Sequence, residues 1–203
     1  MRQAAVKTPT EAESVERLRA LAQARVDLGE RFFDEHAERL ARLCHLMAER
    51  FARGGRLVAF GRSPAARSDA RHVTVEFVHP VIVGKRALPA IGLAGEGGDL
   101  AAQVRLLAAA DDIAIAFGVD EEDASPPAGG EATRALLAAR ERGCLTIAFA
   151  ACGAEYEFVP PSEDPFIRQE LVETLYHVHW VLVHVFFELR GLLSGRSLRP
   201  VHD

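Results

Sequence analysis

Short apolar runs alternate along this chain with longer stretches of helical periodicity, and that alternation leaves few folds open. Arg56-Leu-Val-Ala-Phe-Gly61, Leu88 to Leu93, Asp112 to Gly118 and Cys144 to Phe149 have the length and apolar content of buried strands. Tyr156 to Val159 reads as a short last strand before Pro160-Pro161. Between them, Ala65 to Val78, Asp99 to Ala110 and Glu131 to Arg142 read as helices, the third stopped by Gly143. Parallel strands need crossover helices, and those helices cover both sheet faces. The predicted fold is therefore α/β: a three-layer sandwich with a central parallel sheet, flavodoxin-like or Rossmann-like in architecture.

Two amphipathic segments precede the first strand. Residues 11 to 30 carry Val15, Leu18, Leu21, Val26 and Leu28 near helical spacing. Residues 32 to 53 continue with Phe32, Phe33, Leu40, Leu43, Leu46, Met47 and Phe51, and Gly54-Gly55 marks the stop. The sequence thus predicts two N-terminal helices. A long C-terminal helix begins near Asp164-Pro165, where Asp can cap and Pro can occupy the first turn, and runs to about Leu193. The predicted organisation is a flexible N-terminus over 1–13 and one domain over 14–193. That domain comprises leading helices (14–53), sheet core (56–160) and C-terminal helix (164–193), followed by a loose tail over 194–203.

Charge and cysteine usage exclude several functions. The net charge of -5 comes with no basic stripe, which argues against nucleic acid as a direct ligand. Cys44, Cys144 and Cys152 form no CxxC pair and no even framework, so a reducing cytoplasm fits and small buried thiols are expected. Met1 to Glu13 lacks the apolar segment of a signal peptide. Val178 to Leu189 is apolar but too short to span a bilayer, and it carries His179, His184 and Glu188. No membrane association is expected.

Two constellations carry chemistry. In Asp69-Ala-Arg-His72-Val-Thr-Val-Glu76, the imidazole and the carboxylate are four residues apart and share a helical face. Such a pair can share a divalent metal or work as acid and base, with an ordinary solvated helix face as the alternative. On the last helix Gln169 and His177, eight apart, also share a face, with Glu173 between them. His179 and His184 read as satisfied buried histidines or subunit contacts.

The segment Val58-Ala-Phe-Gly61 … Ser68-Asp69-Ala70-Arg71-His72-Val73-Thr74-Val75-Glu76-Phe77 resembles the signature of phosphoheptose isomerases, members of the SIS (sugar isomerase) domain family. There a strand leads into Gly-Asn-Gly-Gly-Ser-x-x-Asp-x-Gln-His-x-x-x-Glu. Arg86-Ala-Leu-Pro-Ala-Ile-Gly-Leu93 is similar to the family's next strand, and Gln169-Glu170 with His177 to its C-terminal helix motif. The likeness runs from about Ser14 to Leu193.

The resemblance implies a divalent metal, zinc above all, held by His72, Glu76, Gln169 and His177. It implies Glu76 as general base and His177 as general acid in aldose–ketose isomerisation of a sugar phosphate such as sedoheptulose 7-phosphate. It also implies a cytoplasmic homotetramer. Arg62, Ser63, Arg67, Ser68 and Asp69 are the candidate substrate-binding residues. The phosphate loops depart from the family. The first reads Gly61-Arg62-Ser63-Pro64-Ala65-Ala66-Arg67-Ser68, where Pro64 lacks an N–H. The second reads Ala116-Phe117-Gly118-Val119-Asp120-Glu121-Glu122-Asp123, with no hydroxyl before Ser125. Those carboxylates would repel a phosphate unless Arg62 or Arg67 offsets them, and a solvated loop is the simpler reading of the acidic run. A non-catalytic SIS-fold binding or accessory protein, metal-handling and serving a protein partner, is the alternative function. A sugar-binding module without metal is a third.

Overall fold

A computed structural model of the chain describes residues 10–93, 98–119 and 130–188. In chain order the elements are α1 (Glu11–Ala52), β1 (Leu57–Gly61), α2 (Pro64–Val78), β2 (Ala90–Leu93) and α3 (Leu100–Leu107). They continue with β3 (Ile113–Phe117), α4 (Glu131–Glu141), β4 (Leu145–Ala148), β5 (Tyr156–Glu157) and α5 (Pro165–Glu188). The chain divides into two units, Met1–His36 and Ala37–Asp203.

In the first unit a capping box starts α1. The Glu13 N–H donates to Thr10 Oγ1 at 3.2 Å, and the Thr10 N–H donates to Glu13 Oε2 at 2.7 Å. The two expected leading helices, 11–30 and 32–53, are one helix, α1, which runs through Gly29 and through Arg31 between them. A glycine inside a helix costs about 1 kcal/mol relative to alanine but leaves the backbone hydrogen bonds intact. No proline or cap lies there to end it. The helix stops where expected: Gly54 takes φ +92°, a conformation that glycine adopts without strain.

In the second unit the strands form one sheet in the order β2-β1-β3-β4-β5, every neighbouring pair parallel. Leu57 pairs with Ala90 on one side and Ile113 on the other. Strands β1, β3 and β4 are buried along their length, as a sheet covered on both faces requires. Val58, Phe60, Ala114, Ala116 and Ala148 pack with Leu100, Val104, Ala135 and Leu136 of α3 and α4. The alternating residues, Leu57, Ala59, Ile113, Ile115 and Ile147, point the other way and are equally buried. That second face is the side of α2 and α5. Phe117 meets Tyr176 edge-on there, and Phe51 stacks on Phe77.

The chain passes from β1 through α2 to β2 on one side, then crosses through α3 to β3 on the other side of β1, so the strand order reverses there. The crevice above the carboxyl ends of β1 and β3 is a topological switch point, where open α/β sheets bind ligands. Gly61 lets α2 start tightly against β1. A Cβ at that position would lie 2.4 Å from the Ala66 Cβ and 3.0 Å from the Phe117 carbonyl oxygen. Among the described residues, no helix is long and apolar enough to cross a membrane. The expected extension of the last helix to Leu193, the tail over 194–203 and the acidic run Asp120 to Asp123 lie outside the described residues.

Candidate metal and acid–base centre

Helix α2 begins directly after the β1 turn. Ser63 caps it by accepting from the Ala66 N–H at 3.1 Å, and Pro64 fills the first turn, where its missing N–H costs nothing. Its buried face, Ala66, Ala70, Val73 and Phe77, packs inward. That packing fixes where the flank carrying His72 and Glu76 points.

Two aromatic side chains of α5 make polar contacts with α2. The Trp180 indole N–H donates to the Glu76 carbonyl at 2.9 Å, and the Tyr176 hydroxyl lies 2.9 Å from His72 Nδ1. These contacts bring three candidate ligands together across more than 100 residues of sequence. His72 Nε2 lies 3.3 Å and His177 Nε2 2.9 Å from the same oxygen, Glu76 Oε1. One ligand atom from each of the three side chains lies within 4.8 Å of the others. The His72 and His177 rings meet edge-on at 5.4 Å, and the Tyr176 ring packs against both.

The donor set fits a divalent ion. Glu76 Oε2 is buried and has no hydrogen-bond partner among the described residues. An orphaned carboxylate oxygen is costly unless something cationic meets it. Two imidazole nitrogens and a carboxylate oxygen, with the histidines half exposed, form the kind of incomplete shell that leaves room for water or substrate. The surroundings are acidic. Burial pushes the Tyr176 phenol pKa well up, and the negative charges of Asp69, Glu173 and Glu76 push it further.

Gln169, the fourth expected ligand, makes other contacts. Its amide nitrogen donates to Asp69 Oδ1 at 2.8 Å and to Glu173 Oε1 at 3.0 Å. Eight residues of helix separate Gln169 from His177 by about 12 Å along the axis, so sharing a face does not by itself bring the two side chains together.

The candidate substrate residues are distributed. Asp69 is buried and lines a cleft of about 350 Å³ beside Phe117, Gly118, Glu163, Arg168 and Gln169, at the carboxyl end of β3. Arg67 and Ser68 line a separate depression of about 220 Å³ with Pro64 and Arg71. Arg62 pairs with Glu131 at 3.0 Å, and Ser63 is engaged as the α2 cap. The sequence reading did not single out Tyr176 or Trp180. Its one available signal was Pro80, which cannot donate the N–H that the Glu76 carbonyl would otherwise receive.

His184 is a buried core histidine set between two backbone acceptors, to one of which a neutral ring donates. Its ring nitrogens lie 2.8 Å from the Trp180 carbonyl and 2.9 Å from the Arg86 carbonyl. His179 is equally buried, but neither ring nitrogen has a partner among the described residues, so the satisfied reading fails there.

The fold and this helix pair place the chain among SIS-type sugar isomerase folds. A phosphoheptose isomerase structure from Francisella tularensis superposes with a TM-score of 0.70 at 17% identity, covering 85% of this chain and 98% of that one. One from Neisseria gonorrhoeae gives 0.66 at 18% identity, over 83% and 97%. No family model matches the sequence. By sequence, the chain is 31% identical over 178 residues to the phosphoheptose isomerase of Solidesulfovibrio magneticus, covering 78% of this chain and 84% of the relative. It is 29% identical over 198 residues to that of Thermodesulfovibrio yellowstonii, covering 87% and 95%. The chain belongs to the phosphoheptose isomerase family.

Proposed function

We propose that the protein is a metal-assisted aldose–ketose isomerase acting on a sugar phosphate of the sedoheptulose 7-phosphate type. The observation that carries this reading is the convergence of His72 and His177 on Glu76, whose second oxygen is buried without a partner. His72, Glu76 and His177 would hold the ion, with zinc the best match to the donor set. Gln169, whose amide nitrogen donates to Asp69 and Glu173, would offer its carbonyl oxygen as the fourth ligand. A bound divalent ion would supply positive charge where the carbonyl oxygen turns anionic.

The protein's own groups perform the proton movements. Glu76 would remove a proton from the carbon next to the carbonyl, while His177 would deliver one to the carbonyl oxygen from the ring nitrogen that does not hold the ion, giving an enediol. Reversing the two roles across the neighbouring carbon and oxygen completes the isomerisation, with no net gain or loss of protons. Asp69, which lines the cleft, would accept a hydrogen bond from a sugar hydroxyl. The enzyme would work in the cytoplasm as a homotetramer.

A second reading is favoured by one specific feature. Arg62 and Ser63, in the rewritten phosphate turn, are engaged with Glu131 and with the α2 backbone. A chain that kept the fold and the ion but lost the phosphate grip would serve as a binding or accessory protein for a partner. Purified protein supplied with zinc and sedoheptulose 7-phosphate, followed by NMR of the sugar, separates the two. Formation of the aldose supports the isomerase. No turnover, in protein that binds zinc, leaves the accessory reading.

A further inference from the structure

We propose that Tyr176 positions His72 for metal binding, by holding its Nδ1 through a hydroxyl that serves either proton arrangement of the imidazole. The inference rests on the metal-centre reading above and adds a residue to it.

Neutral imidazole carries one proton on one of two nitrogens, and only the bare nitrogen can bind a metal. In the structure His72 presents Nε2 to the Glu76 carboxylate at 3.3 Å and Nδ1 to the Tyr176 hydroxyl at 2.9 Å. Without an ion, the carboxylate favours the proton on Nε2, and Nδ1 then accepts from the phenol. With an ion on Nε2, the proton must sit on Nδ1, which then donates to the phenol oxygen. A carbonyl or carboxylate partner could serve only the second arrangement, because it cannot donate. A hydroxyl serves both, so the ring need not move when the proton does.

The geometry around Tyr176 suits that task. The side chain is fully buried, and its ring packs against His72 at 5.4 Å and His177 at 4.8 Å. It precedes His177 directly on α5, and Trp180 one turn on is bound to the backbone of Glu76. The hydroxyl is therefore held by the same packing that holds two of the three ligands. His72 itself is half exposed and would otherwise be free to rotate into solvent. Metal-bound histidines depend on such outer partners for orientation and tautomer.

The test uses the whole chain. Wild type, Tyr176→Phe, His72→Ala and the double variant are titrated with zinc alone by calorimetry. Histidine-labelled wild type and Tyr176→Phe are compared by long-range proton–nitrogen NMR without metal. Tyr176→Phe is expected to weaken zinc binding about tenfold to a hundredfold. The double variant should bind no more weakly than His72→Ala, because Tyr176 acts through His72. The His72 Nδ1 resonance should move when the phenol is removed. Unchanged zinc affinity in Tyr176→Phe overturns the proposal, as does an equal loss with and without His72. If wild type binds no zinc, the metal-centre reading fails, and the resonance comparison alone judges whether Tyr176 holds His72. Should Tyr176→Phe not fold, zinc loading of wild type must still convert His72 to the Nδ1–H form. A zinc-bound Nδ1 would contradict the assignment.

Discussion

The indole N–H of Trp180 donates to the main-chain carbonyl of Glu76 across 2.9 Å, and the reason lies in the residue four positions past Glu76. That residue is Pro80, which has no N–H to continue the helix ladder. The last backbone bond of α2 runs from His79 to Val75, leaving the Glu76 carbonyl to a side chain from α5. One hydrogen bond thus closes a helix end and joins the two helices that carry the three candidate ligands.

Trp180→Phe should therefore cost more than its lost ring area. The Glu76 carbonyl would be left without its donor, a penalty of about 1–3 kcal/mol in unfolding free energy. Denaturant unfolding measures this, and zinc affinity should fall in parallel because the α2–α5 spacing relaxes. A stability loss with full zinc affinity would show that the indole contact does not set the site.

His179 gives the opposite expectation. Burial alone pushes its pKa down to about 4, from about 6.5 for an ordinary histidine. Between those values the unfolded chain binds a proton that the folded chain refuses. Stability is therefore complete above about pH 6.5 and falls as the pH drops toward 4, by about 3 kcal/mol. His179→Leu removes both the titration and the two unpartnered ring nitrogens. Unfolding curves between pH 4 and 7 should show the variant at least as stable as wild type at neutral pH and distinctly more stable at pH 5.

Asp112 staples the starts of β1 and β3. Its carboxylate accepts from the Arg56 backbone N–H at 2.8 Å, from the Arg56 guanidinium at 2.7 Å and from the Ala109 N–H at 3.0 Å. Burial works against its charge, but these hydrogen bonds and the Arg56 charge outweigh it and hold the pKa below the usual carboxylate value. The resulting stability is present above about pH 4 and is lost as the pH falls through the lowered pKa. Asp112→Ala leaves the Arg56 and Ala109 backbone N–H groups without their acceptor and should cost about 1–3 kcal/mol at pH 7, the Arg56 guanidinium being exposed enough to be solvated. The difference between variant and wild type should shrink below pH 4.

Much of the fold was legible because strand and helix periods differ. The run Leu-Val-Ala-Phe before Gly61 and the run Ile-Ala-Ile-Ala-Phe before Gly118 became β1 and β3 with almost no change of boundary. The expected division between 11–30 and 32–53 is absent, because no proline or cap lies there and the penalty of Gly29 is small beside the gain from continuing α1. The site was legible in part. His72 and Glu76 share one helical face and Gln169 and His177 another, but only the resemblance to phosphoheptose isomerases gave the four residues a common role. Tyr176 and Trp180 acquire their roles from tertiary packing between α2 and α5, which no local pattern encodes. Gln169 shares a face with His177, and its amide nitrogen donates to Asp69 and Glu173.

Everything functional here depends on whether Glu76, His72 and His177 hold an ion together. The most direct measurement is zinc content and zinc titration of folded wild type beside Glu76→Ala, with circular dichroism confirming that both are folded. The expected result is about one tightly held zinc per wild-type chain and none retained by the variant. A folded wild type that takes up no zinc, or a variant that binds it as tightly, would contradict the account.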